Sequence, residues 1–257
     1  MLDIRVAQVV EIGLVTESLL KGGYDTMKCY CYETNTHLVY CAEDARQELP
    51  ENAVLHGGAW NWENGALTMT YPLREINDPM DKGLVSENFA RFGDVMLRSM
   101  QSRIAYEKPL ELLTQAFAKR QVEWYLIGSV SDAVRGIEVN PGDIDIVIHT
   151  KDFGKVREIC HADFHDSIIV PFSDNQSVCP LRCFGGLFLE GAFIEIAADE
   201  AWNRGTRQPE YEKYTWNGLD LYMESLQLRH KIEIARGRKD RIQAFENYFR
   251  MPSSKNQ

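Results

Sequence analysis

Leu126-Ile127-Gly128-Ser129-Val130-Ser131-Asp132-Ala133-Val134-Arg135-Gly136, followed by Gly142-Asp143-Ile144-Asp145-Ile146, is the stretch on which the reading of this chain turns. Val122 to Ile127 is a short apolar run suited to a buried strand, and Gly128-Ser129 breaks it. Val130 to Gly136 reads as a short helical segment, Asn140-Pro141-Gly142 as a turn, and Asp143 to Ile148 as a second strand. On a strand, residues two apart share a face and lie about 6–7 Å apart. Asp143 and Asp145 should therefore project side by side, with Ile144, Ile146 and Ile148 turned to the core. Two carboxylates on one face among apolar neighbours are costly without a compensating cation. Hard oxygen ligands select Mg²⁺ or Mn²⁺, ions that bind through a few carboxylates and the phosphates of a substrate.

Gly128-Ser129 supplies the complementary half. A glycine at a strand end lets the backbone approach a ligand closely. The segment after it directs N–H groups toward that ligand, and the Ser129 hydroxyl can donate to a phosphate oxygen. Taken singly, each motif has a plain structural explanation: an Asp-x-Asp is usually a solvated strand end, and a Gly-Ser is usually a turn. In this order, on these element types, they describe a phosphate cradle facing a metal site.

The arrangement resembles the polymerase-beta-like nucleotidyltransferase superfamily, whose signature is an apolar residue, Gly, then Gly or Ser, a gap, and Asp-x-Asp between apolar residues. Here that reads Ile127-Gly128-Ser129, a gap from Val130 to Gly142, then Asp143-Ile144-Asp145-Ile146. Such families carry a third carboxylate on a later strand. Phe193-Ile194-Glu195-Ile196-Ala197 fits, with Glu195 between isoleucines; Asp199 is a weaker candidate where that strand ends. The basic run from Leu226 to Asp240 resembles the helical tail of small-molecule nucleotidyltransferases of the lincosamide and aminoglycoside resistance type, through Lys231 and Arg238-Lys239-Asp240.

The resemblance implies an α+β fold: a nucleotidyltransferase-like mixed sheet flanked by helices, with an N-terminal β-rich module and a C-terminal helical tail. It implies that Asp143, Asp145 and Glu195 are catalytic and hold Mg²⁺ or Mn²⁺. It places Gly128, Ser129, Arg135, Lys231, Arg238 and Lys239 on the nucleotide, with Asp132 beside Arg135 in a role left unassigned. The co-substrate is a nucleoside triphosphate, and the expected acceptor is the hydroxyl of a small molecule. A toxin-type enzyme acting on tRNA or protein, and a non-catalytic nucleotide-binding module, are the alternatives.

The rest of the 257 residues sets bounds. Hydrophobic residues make up 44% and charged residues 26%, ordinary for a folded protein. A net charge of -10 disfavours nucleic acid as partner and suits a small acceptor. No run approaches the roughly 18 apolar residues of a membrane span, and the charged N-terminus lacks a secretion signal, so a cytoplasmic location is expected. The cluster Cys160, His161, His165, Cys179, Cys183 has spacings that match no zinc pattern, so free thiols are expected. Residues 1–100 read as a β-rich accessory module with Met27–Glu33 and His37–Cys41 as a hairpin, 101–210 as the catalytic core, and 211–257 as a helical segment. Leu84 to Lys119 is periodic as helix, Phe153 to His161 suits another, and Leu219 to Phe249 reads as one or two more.

Overall fold

In the computed structural model, residues 27–45, 49, 60–76, 79–100, 103–174, 181–199 and 210–251 are described. Lys28–Glu33 (β1) and His37–Glu43 (β2) pair antiparallel, and Asn61–Glu63 (β3) pairs with Ala66–Pro72 (β4). Asn64 and Gly65 join the latter pair with φ of 50° and 89°, the left-handed backbone that a tight hairpin turn demands. The sheet order is β1-β2-β4-β3. Helix α1 (Pro79–Ser99) packs on it through a buried stripe that includes Val85, Phe89 and Met96.

Helix α2 (Glu107–Arg120) follows, with Pro109 in its first turn, where a missing N–H costs nothing. The periodic stretch from Leu84 to Lys119 thus divides into two helices, the first beginning before Leu84. Then come β5 (Trp124–Ile127), α3 (Gly128–Val134), β6 (Ile144–His149) and α4 (Phe153–Asp163). Strands β7 (Ile168–Ser173), β8 (Leu181–Leu189), β9 (Ala192–Asp199), β10 (Tyr211–Trp216) and β11 (Leu219–Glu224) complete a seven-stranded mixed sheet of order β10-β11-β5-β6-β9-β8-β7. Helices α5 (Leu226–Ala235) and α6 (Lys239–Arg250) end the described chain.

The helix expected from Leu219 is corrected: 219–224 is the second strand of a hairpin. Asn217 and Gly218, both with positive φ (49° and 78°), form its turn, and Leu221 and Met223 alternate inward with exposed Asp220 and Tyr222. That Asn-Gly turn with period-two flanks outweighs the helical pattern, which begins only after Ser225 caps α5.

One contiguous core joins both sheets, running from Leu38, Tyr40 and Phe89 through Leu110 and Phe117 to Ile144, Ile146, Ile148, Ile194 and Ile196. Polar contacts tie the N-terminal sheet and α1 to β7. The Tyr40 hydroxyl donates to the Ile169 carbonyl (2.8 Å), and Asn88 Nδ2 donates to the carbonyl of Ile168 (2.8 Å). Among the described residues Cys29, Cys31, Cys41, Cys160 and Cys183 form no disulfide with one another, and Cys179 lies outside the described residues. Among the described residues no helix is long and apolar enough to cross a membrane.

Candidate active site

The central strands bring the predicted carboxylates together by register. Strands β6 and β9 run parallel with Asp145 opposite Glu195, and β5 runs antiparallel to β6 with Ile127 opposite Asp145. Ile144, Ile146, Ile194 and Ile196 fill the core on one face, so Asp145 and Glu195 share the other. Asp143 is corrected from strand to the approach of the strand, which starts at Ile144; it is 8% exposed. Asp199, four residues beyond Glu195 and so about 13 Å along the strand, pairs in register with His149 at the far end and stays out of this group.

Gly128 follows β5 directly. Its φ of +67° is left-handed, and a Cβ built on it would collide with the Asp145 carboxylate. Only glycine can bring the backbone this close to that carboxylate. Gly128→Ala is therefore expected to displace Asp145, lower the melting temperature and abolish any metal-dependent ligand response; thermal melts with and without Mg²⁺ check it. The Ser131 hydroxyl donates to the Gly128 carbonyl (2.8 Å) and fixes the turn, leaving half-buried Ser129 at the start of α3.

The three carboxyls raise one another's proton affinity. Asp145 is pushed up to about 7 by burial and by Asp143, opposed by Arg229 and Arg236. Glu195 is pushed up to about 7 by burial and by Asp145. Asp143 is pushed up to about 6 by burial and by Glu195, with Arg241 opposing. Among the described residues no three His, Cys, Asp or Glu side chains are already drawn together tightly enough to form a metal cluster. Three mutually repelling oxygen donors around a Cβ-free glycine, Asp143 buried and Asp145 and Glu195 half-buried, nonetheless fit a divalent cation by chemistry, since a bound cation offsets the desolvation and repulsion together.

Arg135, expected on the nucleotide, is buried and occupied within the fold: Nη1 donates to the Ser131 carbonyl (3.0 Å), and Nη2 to Glu212 Oε1 (2.9 Å) and the Glu224 carbonyl (2.6 Å). It ties α3 to the β10–β11 hairpin. Asp132, fully buried, accepts two hydrogen bonds from Arg229, Nε to Oδ1 at 3.0 Å and Nη2 to Oδ2 at 2.9 Å. Arg229 Nη2 also reaches Glu233 Oε1 at 2.8 Å.

Of the tail cations, Lys231 and Lys239 are exposed, and Arg238 Nε lies 3.4 Å from Glu233 Oε2. The cationic charges that oppose the upward shifts of Asp143 and Asp145 are instead Arg229, Arg236 and Arg241, none of which stands out in the sequence. Glu224, at the end of β11, is a fourth, half-buried carboxyl acting on Asp145; its Oε2 lacks a hydrogen bond and lies 3.6 Å from Arg229 Nη1. The signal that could have found Arg229 is its i,i+4 spacing from Glu233 on the inward stripe of α5.

No protein-family model and no curated protein matches this sequence. Solved structures do, and those that align are described as nucleotidyltransferases. A Thermotoga maritima protein provisionally described as a nucleotidyltransferase aligns at 19% identity and a TM-score of 0.39, over 57% of this chain and 96% of its own. The lincosamide antibiotic adenylyltransferase LnuA, with lincomycin bound, aligns at 13% identity and a TM-score of 0.42, over 56% of this chain and 98% of its own. The antibiotic-resistance factor ANT(2'')-Ia aligns at 12% identity and a TM-score of 0.38, over 53% of this chain and 78% of its own. The likeness is one of fold and spans little more than half of this chain.

Proposed function

We propose that this chain is a metal-dependent nucleotidyltransferase that moves a nucleoside monophosphate from a nucleoside triphosphate to a hydroxyl of a small-molecule acceptor, releasing pyrophosphate. The observation that carries the reading is the register: Asp145 opposite Glu195 on parallel strands, Gly128 against the Asp145 carboxylate, and Asp143 two residues before. Gly128 and Asp145 are thereby held to one another by backbone geometry rather than by flexible side chains.

Asp143, Asp145 and Glu195 would hold the Mg²⁺ or Mn²⁺. When bound, the cation supplies Lewis-acid stabilisation of phosphoryl oxygens and of the leaving group. Ser129 and the backbone around Gly128 position the phosphates. Lys231, Arg238 and Lys239, joined by Arg236 and Arg241, offset the charge that develops on pyrophosphate. A Glu195 carboxylate oxygen accepts the proton of the attacking hydroxyl. The net charge of -10 supports a small acceptor over a polyanion.

The test is thermal shift with each nucleoside triphosphate, with and without Mg²⁺. Wild type should gain about 5–10 °C at a hundredfold excess over Kd, and Asp143→Asn should gain nothing. Absence of a Mg²⁺-dependent gain with every nucleotide would remove the proposal.

A further inference from the structure

Strands β5 and β11 run parallel but share a single register pair, Met223 with Leu126; the ladder does not continue back to Leu221 and Trp124. Where it fails there is a cavity of about 590 Å³, lined by Thr114 of α2, by Glu123 and Trp124 at the start of β5, and by Tyr211, Asp220 and Tyr222 of the hairpin. That volume lies within the range of small-molecule sites. Its aromatic wall is built in depth. Tyr211 stacks on Tyr125 with centroids 5.9 Å apart and planes at 21°, and Tyr222 meets Tyr211 edge-on at 5.6 Å and 82°. Tyr125 beneath is 5% exposed, whereas Tyr211 and Tyr222 are 43% and 39% exposed. Ring surface is thus offered at a cleft rather than buried.

The tyrosine wall of the cleft lies on the same face of the sheet as the carboxylates, while Trp124 and Thr114 line it from the core side. Tyr125 is two residues before Ile127, which sits opposite Asp145, and Tyr222 is two before Glu224. One strand repeat, about 7 Å, separates these tyrosines from the row that holds Asp145. Asp220 and Glu123 add acceptors. They pair with Lys213 (2.7 Å) and Lys151 (2.6 Å), but all four side chains are about half exposed, so these pairs are weak and the carboxylates keep lone pairs to spare.

The geometry points to a ring-binding subsite: this cleft takes a flat, amino-bearing aromatic ring, stacked on Tyr211 or Tyr222 with its amino group toward Asp220 or Glu123. The inference rests on the nucleotidyltransferase reading only for whose ring it is. The nucleobase of the triphosphate and an aromatic ring of the acceptor have the same chemistry, and either would lead from the cleft to the carboxylate row.

Proflavine, a flat aromatic diamine whose fluorescence changes on stacking, is the probe for the full chain. Wild type should bind one equivalent. Tyr211→Ala/Tyr222→Ala should bind about tenfold more weakly, the loss expected for two ring contacts, and Tyr211→Phe/Tyr222→Phe should bind as wild type does. Asp220→Asn, a change at an exposed side chain, should also weaken binding and serves if the alanine variant does not fold. Displacement by ATP but not by inorganic tripolyphosphate identifies the ring as the nucleobase; displacement by neither assigns the cleft to the acceptor. Equal affinity in wild type and the alanine variant, with Asp220→Asn also unchanged, would overturn the inference. Asp143→Asn should leave proflavine binding intact. A Mg²⁺–nucleotide shift that survives in that variant therefore removes the transferase reading alone, and proflavine binding unchanged in both the tyrosine-to-alanine and Asp220→Asn variants removes the cleft alone.

Discussion

Asp145→Asn is expected to abolish nucleotidyl transfer and, in the same protein, to raise the melting temperature of the metal-free fold at pH 8. The first half follows from the position of Asp145, between Gly128 and Glu195. Loss of a carboxylate proposed to hold the cation removes several kcal/mol of transition-state stabilisation, about a thousandfold or more in rate. The second half follows from linkage. Burial and Asp143 hold the Asp145 carboxyl at about 7, against 3.8 for the unperturbed group, so the folded state binds this proton more tightly than the unfolded chain does. The stability contributed by that proton is complete below about pH 4 and is lost as pH rises through about 7. Glu195 at about 7 and Asp143 at about 6 lose theirs over the same interval.

Asparagine at 145 carries no charge at any pH and relieves Glu195 as well. The variant and wild type should therefore melt together at or below about pH 4 and separate as pH rises, by about 4 °C or more at pH 8. Melts in EDTA across that range check it. A difference that stays constant with pH would show that the carboxyl is not held in a repelling cluster. Mg²⁺ with nucleotide should reverse the order, because only wild type gains from them. A residue that weakens the empty fold and is needed for the loaded one is what a binding site, rather than a packing motif, produces.

The same residue shows why the site is legible before the fold. Asp143-Ile144-Asp145-Ile146 declares its faces by period two, and Phe193-Ile194-Glu195-Ile196 does likewise, so each carboxylate can be placed on a strand face from its own neighbours. That Asp145 and Glu195 face each other is a fact of register between strands some fifty residues apart in sequence, and no local pattern encodes it. The hairpin at Lys28–Glu43 is likewise legible, from its aromatic and β-favouring residues on either side of a polar turn. The hairpin at 211–224 is masked because Leu219, Leu221 and Met223 precede an amphipathic helix without a break. The decisive sign is local, the Asn217-Gly218 turn. The long-range partners of Arg135 and Arg229 are beyond the reach of local reading for a different reason. An arginine's role is set by which acceptors it meets. Glu212 for the one and Asp132 for the other are 77 and 97 positions away.

Arg229→Met is expected to destabilise the fold more than the loss of any one active-site carboxylate. Asp132 is fully buried and Glu233 is 1% exposed, and each accepts from Arg229. Burial alone would push the Asp132 carboxyl upward, and the Arg229 guanidinium is the main opposing influence. Removing the cation leaves an uncompensated buried carboxylate, a cost of about 3–5 kcal/mol, which for a domain of this size lowers the melting temperature by about 10 °C. The double variant Asp132→Leu/Arg229→Met replaces the pair with apolar groups of similar reach and should recover most of that loss, since Glu233 retains Arg238 at 3.4 Å. A double variant no more stable than the sum of its singles would show that the two residues do not act as a pair. The functional outcome need not follow stability. Arg229 joins α5 to α3, and Arg236, which opposes the shift of Asp145, leaves the end of the same helix. The double variant keeps the fold but loses both the direct charge of Arg229 and the joint that orients Arg236. It should melt near wild type and still show a weaker Mg²⁺-dependent response to nucleotide, which would separate what the buried pair does for the core from what it does for the site.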